Sequence, residues 1–200
     1  YDSAAALARE VGTRMAARLD WVKIAPQRMA DIGCATGDGI HALQQRYPKA
    51  QALAVDYALP MLAAVRQGTP RWQRLIGRGP RPINADVRAL PLVSGSLGLV
   101  WSNLMLHWLD DPLPALREIH RVMATGGLVM FATLGPDSLL ELREAMQKVG
   151  ADDTARRFID MHDIGDMLVA AGFADPVMDM EIVNFTYRHP RQFLADQRHL

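Results

Sequence analysis

Met29-Ala30-Asp31-Ile32-Gly33-Cys34-Ala35-Thr36-Gly37-Asp38-Gly39 decides the fold of this 200-residue chain. A short apolar run ends in an acid, small residues and glycines follow, and the chain enters an amphipathic segment from Ile40 to Tyr47. This reads as a strand, a tight turn and a helix start, an arrangement that lets backbone N–H groups approach a ligand closely. The glycines fall as G-x-x-x-G-x-G, with Ala35 where a middle glycine is expected. A dinucleotide site shows G-x-G-x-x-G instead, so the spacing points away from a pyrophosphate.

Outward from this unit, strand-like segments lie at Arg28–Asp31, Gln51–Asp56, Pro82–Ala85, Leu97–Ser102 and Leu128–Leu134. Helical patterns fall between most of them, at Ile40–Tyr47, Pro60–Gln67 and Pro112–Met123. Alternating strands and helices predict an α/β fold with a mostly parallel sheet and helices on both faces. Residues 3–19 read as a preceding helix with Ser3 as its cap. Gly68–Pro82, rich in Gly, Pro and Arg, reads as an irregular excursion. Beyond Leu134, helices are expected at Asp137–Val149 and His162–Ala171, the second stopped by Gly172. One long strand is expected over Val177–Tyr187, and a helix begins at Pro190. The expectation is one domain over residues 1–200.

Composition narrows the function classes. Half the residues are hydrophobic, 22% are charged and the formal net charge is zero, so no global field draws the chain to nucleic acid or a membrane surface. Its one cysteine excludes an internal disulfide and fits a reducing compartment. No apolar run approaches the roughly 20 residues needed to cross a bilayer. The expected setting is the cytoplasm, with neither nucleic acid nor membrane as partner.

In an open parallel sheet, ligands bind beyond the carboxyl ends of the strands, and the chemistry-bearing residues gather there. The first strand delivers Asp31 and the glycine turn, the second ends at Asp56, the third precedes Asp86, and the fourth ends in Ser102-Asn103-Leu104. Asp56 follows Asp31 by about 25 residues, close to the spacing at which an acid grips ribose hydroxyls. An acid after a strand also serves as a simple turn residue, a reading that weighs at least equally for Asp86. Cys34 sits near a helix start, a position that lowers a thiol pKa, although a small residue suited to the turn explains it better. His107 has no second ligand at metal-binding spacing, so no metal site is expected.

Asp31-Ile-Gly33-Cys34-Ala35-Thr36-Gly37, Val55-Asp56, Ala85-Asp86-Val87-Arg88-Ala89-Leu90-Pro91 and Trp101-Ser102-Asn103-Leu104, in this order, resemble the class I S-adenosylmethionine-dependent methyltransferases. The resemblance implies a Rossmann-like fold with S-adenosylmethionine as cofactor. By it, Asp31, Gly33, Cys34, Ala35 and Gly37 hold the methionine part, and Asp56 takes the ribose hydroxyls with Tyr57 and Met61 beside it. Asp86 and Val87 take the adenine, and Asn103 lines the methyl-transfer site. The methyl group of Ala35 stands where the backbone is expected to pass close to the cofactor.

Ser102-Asn103-Leu104-Met105-Leu106-His107-Trp108, Phe131 to Leu142, Arg157-Phe158 and His162-Asp163-Ile164 narrow the resemblance to the malonyl-acyl-carrier-protein O-methyltransferases of biotin synthesis. The implied acceptor is the free carboxylate of a malonyl thioester on acyl carrier protein or coenzyme A. That family continues to a further strand, so the chain looks truncated after Leu200 and its start looks incomplete. Mitochondrial complex I assembly factors, one branch of which acts as a protein arginine hydroxylase, share the runs around His107 and Leu134 and stand as one alternative, with a methyltransferase acting on another small acid as a second.

A malonyl carboxylate is ionised at neutral pH, so its methylation needs positioning rather than a general base. A bidentate arginine suits such a substrate, with Arg157 the first candidate and Arg143 the second. Tyr1 resembles the end of an N-terminal motif that closes over the cofactor. Arg66, Arg71, Arg74, Arg78, Arg81 and Arg88 form a cluster whose only acid is Asp86. Two readings of it stand: a dock for the acidic carrier protein and a solvated arginine-rich loop.

Overall fold

The computed structural model describes residues 5–150 and 158–197. Five parallel strands form one sheet in the order β3-β2-β1-β4-β5. They are β1 (Arg28–Ile32), β2 (Gln51–Asp56), β3 (Arg81–Asn84), β4 (Leu97–Asn103) and β5 (Met123–Ala132). The helices are α1 (Ala6–Arg18), α2 (Asp38–Arg46), α3 (Leu59–Gly68), α4 (Arg71–Leu75), α5 (Leu113–Val122), α6 (Leu140–Lys148), α7 (Met161–Ala171) and α8 (Pro190–Gln197). The order reverses between β1 and β4, which places a ligand crevice above their carboxyl ends.

The central strands are covered on both faces, which is why β1 and β2 read as apolar runs rather than as alternating ones. Met29, Ala52, Ala54, Leu99 and Trp101 face one side, where Met15 of α1, Leu19 just past its end, Ile40 and Leu43 of α2, and Leu62 and Val65 of α3 pack. Ala30, Ile32, Leu53, Val55 and Val100 face the other, against Ala115, Ile119 and Val122 of α5. Helix α7 packs outside α5 through Ile164, Leu168 and Ala171. The α/β class, the parallel sheet and the helices on both faces are therefore as expected.

Helix α7 begins and ends with side-chain logic. Its cap Asp160 accepts the His162 N–H at 2.8 Å. Gly172 sits in the left-handed region at φ +99°, with Gly172 N–H donating to Val169 O and Phe173 N–H to Leu168 O, a Schellman ending.

Several expectations need correction. Val177–Tyr187 is not a strand: it runs without a ladder, and its acids turn to α1 instead. Glu181 pairs with Arg14 at 2.9 Å, while Asp179 and Glu181 both engage Arg18. Gly68–Pro82 is not wholly irregular, because Pro70 starts the short helix α4. The helix expected from Asp137 starts three residues later, since Leu139 takes a left-handed φ of 58°. Strand β5 begins at Met123 and carries an irregularity around Gly126, where Leu97 pairs Met123 and Leu99 pairs Leu128. The proposed cap Ser3 lies outside the described residues.

Candidate active site

The loop from β1 to α2 is built on positive backbone angles. Gly33, Ala35 and Gly37 have φ of 74°, 44° and 98°. Gly33 is required twice over, because a Cβ there would collide with Met105 Cγ and Cβ as well as demanding a left-handed residue. Ala35 is strained by about 1 kcal/mol or more in that region. Its N–H is held by a 2.9 Å hydrogen bond to Asp56 Oδ2. Gly33 and Cys34 N–H groups both donate to Val55 O, at 2.9 and 3.1 Å, tying the loop to the end of β2.

Asp56 holds the second side of the crevice. Its Oδ1 accepts the Ala58 N–H at 2.8 Å, so each carboxylate oxygen carries one backbone donor and keeps acceptor capacity toward the crevice. Sequence reasoning missed Asn84, whose Nδ2 donates to Asp56 O and Tyr57 O at 3.0 and 2.8 Å and fixes this corner from β3. Tyr57 is 80% exposed, and Met61 is half-buried in the first turn of α3. Asp86 is clamped by Arg88 through its backbone N–H and its guanidinium, and those hydrogen bonds hold its carboxyl down at about 2. Val87 is buried beside it.

Asp31 lies 2% exposed beneath the loop, and burial pushes its carboxyl up to about 7. Nearby Asp56 and Asp38 add to the rise, and a hydrogen bond from the Ile40 N–H opposes it. Gly39 makes room for this group: a Cβ there would be 2.6 Å from Asp31 Oδ2 and 2.9 Å from Trp101 Nε1. The expectation of a lowered Cys34 pKa is corrected, because burial raises it, with Asp31 and Asp56 contributing further. Cys34 is a packed small residue rather than a nucleophile.

Asn103 ends β4 under α1. Its Nδ2 donates to Ala8 O at 2.7 Å, while its Oδ1 is buried with no partner among the described residues, as is Trp101 Nε1. Arg9 of α1 reaches Asp38 at 3.3 Å, so the helix lies across the loop as well. Ser102 Oγ donates to Ile32 O at 2.9 Å, joining the ends of β4 and β1. Past Asn103, Leu104 takes φ 53° and donates to Ala132 O at 2.9 Å. That bend seats Met105 over Gly33 and leads into His107, whose ring centroid lies 5.5 Å from Trp108 and 6.0 Å from Phe158.

Beyond the ends of β4 and β5 lies a cavity of about 270 Å³ whose lining includes His107, Asp110, Thr133, Phe158 and Ile164. Trp108, next to His107 in the chain, is about half exposed. Arg143 is not free for a substrate, because its guanidinium donates to Ser138 O at 2.7 Å and to Pro136 O. Tyr1 and Arg157 lie outside the described residues. Among the described residues, no three His, Cys, Asp or Glu side chains group as metal ligands, and no helix is long and apolar enough to cross a membrane.

Residues 30–131 match the family described as a methyltransferase domain. The malonyl-[acyl-carrier protein] O-methyltransferase of Gallionella capsiferriformans is 50% identical over 198 residues, covering 98% of this chain and 68% of the relative. That of Laribacter hongkongensis is 50% identical over 201 residues, covering 98% and 67%. The chain belongs to the malonyl-[acyl-carrier protein] O-methyltransferase family. It spans about two thirds of the length of these relatives. An S-adenosylmethionine-dependent methyltransferase structure from Mesorhizobium loti shares the fold at TM-score 0.59 and 21% identity, over 91% of this chain and 88% of the other. One from Thermotoga maritima does so at TM-score 0.64 and 20% identity, over 88% and 76%.

As a member of this family the chain is an S-adenosylmethionine-dependent O-methyltransferase. The residues present fit that cofactor. S-adenosylmethionine offers donors and positive charge: a sulfonium, an ammonium, two ribose hydroxyls and an adenine amino group. The crevice offers acceptors, the orphaned Asn103 Oδ1 and the carboxyls of Asp56 and Asp86, with Asp31 buried beneath the loop.

Proposed function

We propose that this enzyme methylates the free carboxylate of a malonyl group carried as a thioester on acyl carrier protein, with malonyl-CoA as a smaller equivalent. The observation that carries this reading is a convergence. Residues from four runs that are far apart in sequence, Leu106 and His107, Thr133, Phe158 after Arg157, and Ile164 after His162-Asp163, meet in the lining of one cavity. These runs carry the resemblance to the malonyl-acyl-carrier-protein O-methyltransferases. The malonyl enzymes that are half identical to this chain favour the reading over the complex I assembly relative.

In this reading the loop Gly33, Cys34, Ala35 and Gly37, with Asp31, holds the methionine part of the cofactor. Asp56, Tyr57 and Met61 hold the ribose, and Asp86 and Val87 hold the adenine. When bound, S-adenosylmethionine supplies an electrophilic methyl group on a sulfonium. The protein's part is positional. The malonyl carboxylate arrives ionised, so no side chain has to take a proton. Asn103 orients the reacting groups, and the family resemblance assigns recognition of the carboxylate to Arg157 and exclusion of water to Tyr1. The methyl ester formed removes the charge from the malonyl end, which lets an elongating synthase accept it on the route to biotin. This reading puts the reaction in the cytoplasm.

The test is direct. Incubation with malonyl-carrier and methyl-labelled S-adenosylmethionine yields label in a carrier-bound ester that mild base releases as methanol. Absence of such an ester at saturating cofactor, with iron-dependent arginine hydroxylation in its place, refutes the proposal.

A further inference from the structure

We infer that the segment from Arg66 to Arg81, centred on α4, is the docking surface for the acidic face of the carrier protein; the inference rests on the acceptor proposed above. Arg66, Arg71, Arg74, Arg78 and Arg81 are all exposed, and the sixteen positions they span contain no acid. None forms an ion pair among the described residues, whereas Arg14, Arg18, Arg46, Arg88 and Arg121 all do. In a chain of zero net charge, this is a concentrated, unneutralised positive field. Such a field steers an acidic partner and fixes its orientation.

Apolar side chains stand among these charges. Trp72, Leu75 and Ile76 are 59%, 87% and 56% exposed. An exposed aromatic with aliphatic neighbours and several arginines has the composition of a protein interface. Helix α4 has five residues, too short for a membrane-surface amphipathic helix. Only one aromatic lies in the segment, which gives single-stranded nucleic acid little to stack on. The segment is also held in shape. Arg78 and Gly79 N–H groups donate to Gln73 O, Gln44 Nε2 donates to Arg78 O from α2, and Gly79 packs on Thr69.

The position suits a tethered substrate. β3 lies three strand intervals from β4, about 14 Å, and its four residues rise about 10 Å from Arg81 to the level of the crevice. The diagonal from Arg81 to the end of β4 is therefore about 17 Å. A pantetheine arm has roughly the length of four to five extended residues, about 16 Å, and the malonyl head carries the carboxylate a few ångströms further. A carrier held at the Arg81 end of the segment is thus within reach of the end of β4.

The experiment compares malonyl-carrier with malonyl-pantetheine, which has the same reacting end and no protein. The triple variant Arg71→Glu/Arg74→Glu/Arg78→Glu is expected to lose at least tenfold in kcat/KM for the carrier substrate. Its turnover of malonyl-pantetheine should stay within twofold of wild type, and the salt dependence of the carrier reaction should largely vanish. The pair Trp72→Ala and Leu75→Ala, both at exposed sites, should raise KM for the carrier alone and serves as the check if charge reversal impairs folding. Unchanged carrier kinetics in both variants, with both substrates methylated, overturns the docking surface. Unchanged carrier kinetics with loss of wild-type binding to DNA or to phosphatidylglycerol vesicles overturns it in favour of those partners. Failure of the wild type to methylate either substrate overturns the acceptor itself, a distinct outcome.

Discussion

Replacing Asp31 by asparagine tests the electrostatics beneath the glycine loop. The folded protein holds this carboxyl at about 7 against 3.8 for the ordinary group, because burial opposes its charge. A raised carboxyl pKa means that the folded state binds the proton more tightly than the unfolded state. Wild-type stability is therefore undiminished by this group below pH 3.8 and is lost progressively as pH rises toward 7. The full shift corresponds to about 4 kcal/mol, of which about 2.5 kcal/mol falls between pH 5 and pH 8. The substituted amide keeps the acceptor for the Ile40 N–H but adds a buried donor, at about 1 kcal/mol. Asp31→Asn should then be less stable than wild type at pH 4 and more stable at pH 8. Urea unfolding of both proteins at several pH values reads the difference directly, and subtraction removes every other titrating group. A difference that does not change with pH refutes the reasoning.

Gly39→Ala should lower stability by about 1–3 kcal/mol, since its Cβ would press on Asp31 and Trp101 with no flexible end to yield, and thermal unfolding will show it. Asp56→Ala should weaken S-adenosylmethionine binding by about 1.5–3 kcal/mol in calorimetric titration, through loss of charge-assisted hydrogen bonds. It should also loosen the loop, because Ala35 and Ala58 N–H groups lose their acceptor. Ala35→Gly relieves a left-handed alanine, and after the entropy cost of glycine the expected gain in stability is below about 1 kcal/mol. If the Ala35 methyl hinders the cofactor, the same variant binds S-adenosylmethionine more tightly; equal affinity assigns the methyl a purely conformational cost.

Much of this was legible from residue spacing. The β1 loop and α2 could be read because glycines, small residues and a helical period follow one another without interruption. The order of Asp31, Asp56, Asp86 and Asn103 along the chain mapped onto neighbouring strand ends because parallel strands send all their carboxyl ends to one side. Other features had no such signal. The alternation in Val177–Tyr187 suits a ladder and a tethered strap equally, and the acids at 179 and 181 find arginines on α1, more than 160 positions away. Alanine and leucine at 35, 104 and 139 give no hint of positive φ, which arises from hydrogen bonds and packing made elsewhere. Asn84 looked like an ordinary strand-end residue, and its two carbonyl partners become visible only in three dimensions.

The bend at Leu104 has a consequence for redesign. Its N–H is fastened to the last residue of β5, and the next side chain, Met105, presses on Gly33. In the proposed reading, Leu104 and Met105 thus form the short link between the cofactor loop, on which Met105 packs, and Leu106 of the acceptor cavity. Tailoring the acceptor is best attempted from His107 onward, or from Phe158 across the cavity. On the proposed assignment, a change at 104 or 105 would disturb the packing on Gly33 as well as the lead into the cavity.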